Sequence, residues 1–170
     1  MSSQIIFETQ RLQVRKLQMN DLNPFHEMQS NERVMQYADG EVKTKDAHKE
    51  ELIDLIEKYN QENNSFWIYA IDQKLDSKFV GTCALIKDSN SDDEIGYRFL
   101  ERYWGLGYGF EICQGLIDYC KSIGIPKLIG YVYDENYASV KILEKCNFKI
   151  VEKGIEPSLQ LPETKYELIL

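Results

Sequence analysis

Three glycines at alternate positions, Gly105, Gly107 and Gly109, stand between a run with the period of a strand and a run with the period of a helix. Glycine reaches turns closed to other residues and lets a ligand approach the main chain, so several N–H groups can converge on one phosphate. A helix that begins there adds roughly half a positive charge at the same spot, and no lysine is needed. The spacing suits pyrophosphate binding, but it also serves an ordinary tight strand–helix connection, and glycines alone do not choose between the two. Other residue types offer less. His26 and His48 each fall in an expected helix without a Cys, Asp or Ser at catalytic or metal spacing, which points to packing or surface roles and to no metal site. Cys83, Cys113, Cys120 and Cys146 form no C-x-x-C pair. Cys113 and Cys120 would share one helix about 10.5 Å apart along its axis, too far for a disulfide, so all four read as core thiols.

The elements that must hold the glycine loop are legible on both sides of it. Ahead of it, residues 94–99 alternate, with Ile95, Tyr97 and Phe99 on one face. Behind it, residues 110–123 read as a helix whose polar face carries Glu111, Gln114, Asp118 and Lys121, stopped by Gly124 with Pro126 just beyond. Strand-like segments also occupy residues 7–15, 66–71, 79–86, 127–133, 148–155 and 164–170, and those at 66–71 and 79–86 bracket a polar loop as a hairpin. Helices are expected from an Asn20-Asp21 cap through Phe25 and Met28, over a short piece at 32–37, and from a Thr44 cap to about Tyr59 with Leu52, Ile53, Ile56 and Tyr59 as the buried stripe. A last helix starts at an Asn136 cap and ends at Asn147, a residue able to take the left-handed conformation. Strand, helix and strand in succession around the loop need a crossover, so strands 94–99 and 127–133 are expected to be parallel.

A chain of 170 residues with 43% hydrophobic content suffices for one core, and no linker or repeat asks for another, so residues 1–170 are expected to form one domain. The balance of 20 basic against 28 acidic residues, a net charge of −8, disfavours nonspecific binding to nucleic acid or an anionic membrane and suits a cationic partner such as an amine. The acidic turn 88–93 is either a solvated loop or, through Asp92 or Asp93, an attraction for that partner. No apolar run reaches the roughly 18 residues of a membrane span. The opening Met1-Ser2-Ser3-Gln4 lacks the charged-then-apolar pattern of a signal peptide, and the expected compartment is the cytoplasm.

Residues 94–99, followed by Tyr103-Trp104-Gly105-Leu106-Gly107-Tyr108-Gly109-Phe110-Glu111, resemble motif A of the GCN5-related N-acetyltransferases, and more narrowly the branch that includes the ribosomal-protein N-terminal alanine acetyltransferases. The family signature Gln/Arg-x-x-Gly-x-Gly/Ala can be laid on Arg102, Gly105 and Gly107 or, with Trp replacing Gln/Arg, on Trp104, Gly107 and Gly109. The second register is preferred, because its last glycine abuts the helix whose N–H groups must finish the cradle. The opening Glu8-Thr9-Gln10-Arg11-Leu12-Gln13-Val14-Arg15 is typical of the same branch. Residues 136–148 are similar to motif B, Asn-x-x-Ser-x-x-x-Leu-Glu-Lys-x-Gly-Phe, with Asn147 in place of Gly. The resemblance implies an α/β (α+β) domain with a mixed, mostly antiparallel central sheet, a parallel and splayed central strand pair, and flanking helices. It implies acetyl-CoA as co-substrate, no metal, an amine acceptor beneath the helical region of residues 32–59 and, by family habit, a homodimer.

By the same resemblance, the main chain at Phe99 and Leu100 and the loop formed by Trp104, Gly105, Leu106, Gly107, Tyr108, Gly109 and Phe110 contact the cofactor, and Asn136 meets its pantetheine arm. Glu94, on the strand that would flank the thioester, could take the amine proton directly or through water; its other reading is a strand-edge charge making a structural hydrogen bond. Many relatives carry a Tyr acid at the position held here by Leu143. Ser139 is then the next hydroxyl able to face the sulfur, ahead of Tyr137 and Tyr97, and Lys141 and Lys145 read as solvated charges. The expected activity is acetyl transfer from acetyl-CoA to a protein α-amino group or a small amine by direct attack in a ternary complex. The alternative, encouraged by the missing Tyr, is a noncatalytic acyl-CoA-binding or regulatory module. A nucleotide-phosphate enzyme is disfavoured, for want of a Gly-x-x-x-x-Gly-Lys-Ser/Thr pattern.

Overall fold

A computed structural model describes residues 4–38 and 43–170, so Met1, Ser2 and Ser3 of the opening and residues 39–42 of the region expected over the acceptor lie outside the described residues. One sheet contains β1 (Ile5–Glu8), β2 (Leu12–Lys16), β3 (Phe66–Gln73), β4 (Lys78–Lys87), β5 (Asp93–Phe99), β6 (Lys127–Tyr133), β7 (Lys149–Ile155) and β8 (Pro162–Ile169). Their order across it is β1-β2-β3-β4-β5-β6-β8-β7. The β5–β6 pair is parallel, as expected, and every other pair is antiparallel. The helices are α1 (Leu22–Gln29), α2 (Lys45–Lys58), α3 (Tyr108–Ser122) and α4 (Tyr137–Lys145), none long and apolar enough to cross a membrane.

Alternation along the strands sends successive side chains to opposite faces and so builds two cores. Val14, Ile71, Leu85, Ile95, Leu128 and Val132 pack with α3 and α4 on one face, together with all four cysteines, which are buried and unpaired. On the other face Phe25 and Met28 of α1 and Leu52 and Leu55 of α2 meet Leu17, Ala70, Phe79 and Leu100.

Several local expectations give way to side-chain chemistry. Residues 7–15 are not one strand but the β1–β2 hairpin, because Thr9 turns the chain: its N–H donates to Leu12 O (2.9 Å) and its hydroxyl accepts from Leu12 N (3.1 Å). Residues 32–37 form turns instead of a helix: Asn31 Oδ1 accepts from the N–H groups of Arg33 and Val34 as a cap would, but only one i→i−4 bond follows, Met35 N to Asn31 O (2.9 Å), before Ala38 N turns to Met35 O (3.0 Å). Asp21 precedes α1 without capping it; both its carboxylate oxygens accept from Arg15 at 2.8 Å. Thr44 does cap α2, accepting from Ala47 N (3.2 Å). The side chains that α2 buries fully are His48, Leu52 and Leu55, while Ile53, Ile56 and Tyr59 stay half-buried. Tyr59 is drawn to the sheet, where its hydroxyl donates to Ile68 O and accepts from Leu17 N. His48 packs against His26, Nδ1 to Nδ1 at 2.7 Å, and burial lowers its pKa, so the pair has the packing role expected of it.

Candidate active site

Strands β5 and β6 share one register pair, Glu94 with Ile129, and part beyond it. The gap opens into a cleft of about 750 Å³ bounded by the two strands, the first turn of α3 and the start of α4. The Leu100 N–H donates to Val80 O (2.9 Å), on the β4 side. By the alternation of an antiparallel ladder, Phe99 and Tyr97 then turn their main-chain groups the other way, into the gap.

The glycine loop closes one end of the cleft. The Trp104 indole N–H donates to Phe99 O (3.0 Å) and fastens the loop to the strand end. Gly105 and Gly107 adopt φ of 75° and 81°, the left-handed region in which a side chain is strained. Gly107 is the residue before α3, which begins at Tyr108, two residues ahead of its expected start. The amides of Tyr108, Gly109 and Phe110 therefore lie in the first turn, where helix geometry leaves them without intrahelical acceptors. Gly109 has a different task. A Cβ there would meet Ile142 Cδ1 at 2.8 Å and Tyr97 Cε2 at 3.5 Å, so its lack of a side chain lets α3, α4 and β5 close around the cleft.

Arg11 braces this loop from the far edge of the sheet. Its guanidinium donates to Leu106 O (2.9 Å) and Glu111 (2.7 Å) and lies 4.7 Å from the centroid of the Tyr108 ring. Glu111 also accepts from Thr9 Oγ1 (2.6 Å), which withdraws it from the solvated polar face expected of α3. These partners lie about a hundred residues apart in the chain, and only the Thr-x-Arg of the opening hints at them.

Phe99, Trp104, Gly105, Gly107, Tyr108, Gly109, Phe110, Asn136, Glu94 and Ser139 all line the cleft; Leu100 and Leu106 do not. Asn136 caps α4, its Oδ1 accepting from Ser139 N at 3.3 Å. The Ser139 hydroxyl stands beside that of Tyr97, which burial keeps protonated. Tyr137 is 71% exposed, and Leu143 is buried under Gly130. Lys145 lies over the Phe110 ring, 4.0 Å from its centroid. Asp92 and Asp93 are not an attraction for a cationic partner. Asp92 binds Lys127 (2.8 Å) and Lys165 (3.0 Å), Asp93 binds Lys87 (2.8 Å), and neither reaches the cleft.

Glu94 is one of two carboxylates on the cleft, with Glu163, that keep no partner among the described residues. Among the described residues none donates a hydrogen bond to it or pairs with it, so the structural hydrogen bond that was its other reading is not made. Burial, reinforced by Asp88 and Glu163 and opposed by Lys165, pushes its pKa up to about 7. The reading of the sequence missed Glu163, Tyr133 and Tyr37, which also line the cleft. The presence of Glu163 depends on β8 inserting between β6 and β7, and no local pattern announces that.

A family model described as an acetyltransferase (GNAT) domain matches residues 11–149. An uncharacterized N-acetyltransferase, p20, from Bacillus licheniformis is 28% identical over 144 residues, covering 83% of this chain and 80% of that protein. Among solved structures, the acetyl transferase from Salmonella typhimurium that modifies the N-terminal serine of 50S ribosomal subunit protein L7/L12 superposes with a TM-score of 0.82 at 16% identity, over 98% of this chain and 99% of that one. A spermidine N-acetyltransferase from Vibrio cholerae, in complex with CoA and spermine, gives 0.80 at 18% identity over 94% and 95%. At such identities the two structures speak for the fold alone.

Proposed function

Because this chain belongs to the GNAT acetyltransferase family, and is on that ground an acetyl-CoA-dependent N-acetyltransferase, we propose that it acetylates a primary amine by direct attack in a ternary complex, with Glu94 as general base and Ser139 as proton donor. What carries this reading is one carboxyl group: half-buried, without a cationic partner, on the splayed strand, and titrating near neutral pH. Such a group is ionised often enough to accept a proton from an ammonium and basic enough to hold it. The amine nitrogen, once neutral, attacks the thioester carbonyl; the C–N bond forms, the C–S bond breaks, the thiolate takes the Ser139 proton, and the proton that the acylated nitrogen sheds restores the Ser139 hydroxyl. Among the described residues that line the cleft none is a cysteine, which favours direct transfer over an acetylated cysteine.

Coenzyme A would be held by main chain. The first-turn amides of Tyr108, Gly109 and Phe110 would meet its diphosphate, and the gap-facing groups of Tyr97 and Phe99, with Asn136, its pantetheine arm. The substrate is thus positioned chiefly by fixed backbone, which lowers the barrier by proximity and orientation. Thiol release from acetyl-CoA with a panel of amines and an N-terminal peptide tests the activity, and intersecting double-reciprocal lines are the expected sign of a ternary complex. CoA binding without turnover of any amine would convert the reading to the noncatalytic module.

The glycine loop makes its own prediction. Gly107→Ala places a side chain in the left-handed region, a strain of about 1–2 kcal/mol. Lower thermal stability and weaker CoA binding by calorimetry are expected together. Gly154→Ala, on the edge strand with nothing within 4 Å of the added Cβ, should change neither.

A further inference from the structure

We infer that Glu163 is a second acceptor-binding carboxylate of this cleft and selects amines that carry another positive charge on the same short chain, diamines and polyamines, over monoamines. The inference rests on the acetyltransferase reading above, since it takes the cleft as the place where the amine binds.

Glu94 and Glu163 occupy the same face of the sheet. On β5, Ile95 and Phe99 point into the core beneath α3, so Glu94 and Arg98 point to the opposite side, where Arg98 bonds Gln29 of α1. On β6, Leu128 and Val132 take the α3 side, which leaves Ile129, Tyr131 and Tyr133 on the side of Glu94. Residues directly opposite in an antiparallel pair share a face. Across β6–β8, Lys165 faces Tyr131 and Glu163 faces Tyr133. That side of the sheet therefore carries Glu94, Tyr131, Tyr133, Lys165 and Glu163, and both glutamates line the cleft.

The pairing of the surrounding charges singles out these two. Lys165 is held by Asp92 (3.0 Å) and Asp88 (3.6 Å), and Asp88 also accepts from the Tyr131 hydroxyl (3.0 Å). Arg33 pairs with Glu101. Glu156, beyond Tyr133, accepts from the amides of Ser158 (2.9 Å) and Leu159 (2.7 Å). Among the described residues, none pairs with or donates to Glu94 or Glu163. Two half-buried carboxylates on one cavity, near enough that Glu163 raises the proton affinity of Glu94, have no ion-pair partner among the described residues, and Lys165, which draws Glu94 partly back, is itself held by Asp92 and Asp88. Burial and Glu156 hold Glu163 itself above the usual carboxylate range. A ligand that brings two positive charges would neutralise both, where a monoamine would leave one desolvated and unpaired. The cleft wall beside Glu163 is aromatic: Tyr133, its cross-strand partner, stacks on Tyr37, centroids 5.7 Å apart, a surface suited to the methylene chain joining two ammonium groups. The net charge of −8 steers the same ligands inward.

The test pairs kinetics with binding. Thiol release is measured with cadaverine, spermidine and the length-matched monoamine n-pentylamine for the wild type, Glu163→Gln and Glu163→Lys. Spermidine binding to the CoA-loaded protein is measured by calorimetry, and CoA affinity serves as the folding control. The wild type is expected to favour the diamine over the monoamine by about ten- to a hundredfold in kcat/KM, the range of one charge-assisted contact. Glu163→Gln should collapse that ratio through the KM of the diamine and weaken spermidine binding by a similar factor. Glu163→Lys should invert the preference. An unchanged diamine-to-monoamine ratio in Glu163→Gln, with turnover intact, overturns the role of Glu163 and leaves the transferase reading standing. Spermidine binding that depends on Glu163 without thiol release from any amine does the reverse.

Discussion

Glu94→Gln is expected to lower kcat/KM by about 10²–10⁴, the usual contribution of a positioned acid–base group, and to abolish the rise of activity with pH. In the wild type the free enzyme must carry Glu94 as a carboxylate, and with a pKa near 7 the ascending limb of kcat/KM should have its midpoint there. The sign of the stability effect follows from the same shift. The carboxyl binds its proton more tightly in the folded state, about 7, than at its ordinary 4.5, so between those values the folded chain holds a proton that the unfolded chain has released. Relative to Glu94→Gln, the wild type therefore loses stability as pH rises through that window and loses nothing further above it. Melting curves of the two proteins should coincide near pH 4.5, with the variant melting higher at pH 8. A variant that is less active and also less stable at pH 8 would mark Glu94 as a structural residue and sink its role as base.

The largest stability effect is expected at Arg15. It lies only 8% exposed between Asp21 and Asp72, with bonds of 2.8 Å to each oxygen of the first and 2.5 and 2.9 Å to the second. Burial pushes the Asp72 carboxyl up while Arg15 pulls it back. Arg15→Met leaves two interior carboxylates facing one another, and removing one member of such a network destabilises by about 3–5 kcal/mol. For a chain of this size that is a fall in Tm of about 6–20 °C. The deficit should shrink in acid, where both aspartates can bind protons, and the triple change Arg15→Met, Asp21→Asn, Asp72→Asn should recover much of it. A loss under about 1 kcal/mol in denaturant melts of Arg15→Met would show that water reaches the site and that the triad is not a buried network.

Most of the loop that would hold coenzyme A is legible in the sequence, because its features are local. Positive φ at Gly105 and Gly107, a strand before them and a helix after them follow from residue types within a few positions, as do the Thr44 and Asn136 caps and the left-handed Asn147. Most of the failures have a common origin in side chains that bond to distant or unexpected partners. Thr9 breaks a strand, Asp21 turns from its cap to Arg15, and Asp92 and Asp93 surrender to lysines.

By itself, then, the order of residues determined a strand, a glycine turn and a helix with open amides, since backbone preference is settled over three or four neighbours. Only the tertiary structure decided which acidic groups keep a cation and which do not. Coulomb pairing acts through space and grows as water is excluded, so the state of Glu94 and Glu163 was set when β8 folded between β6 and β7 and Lys165 turned to Asp88 and Asp92.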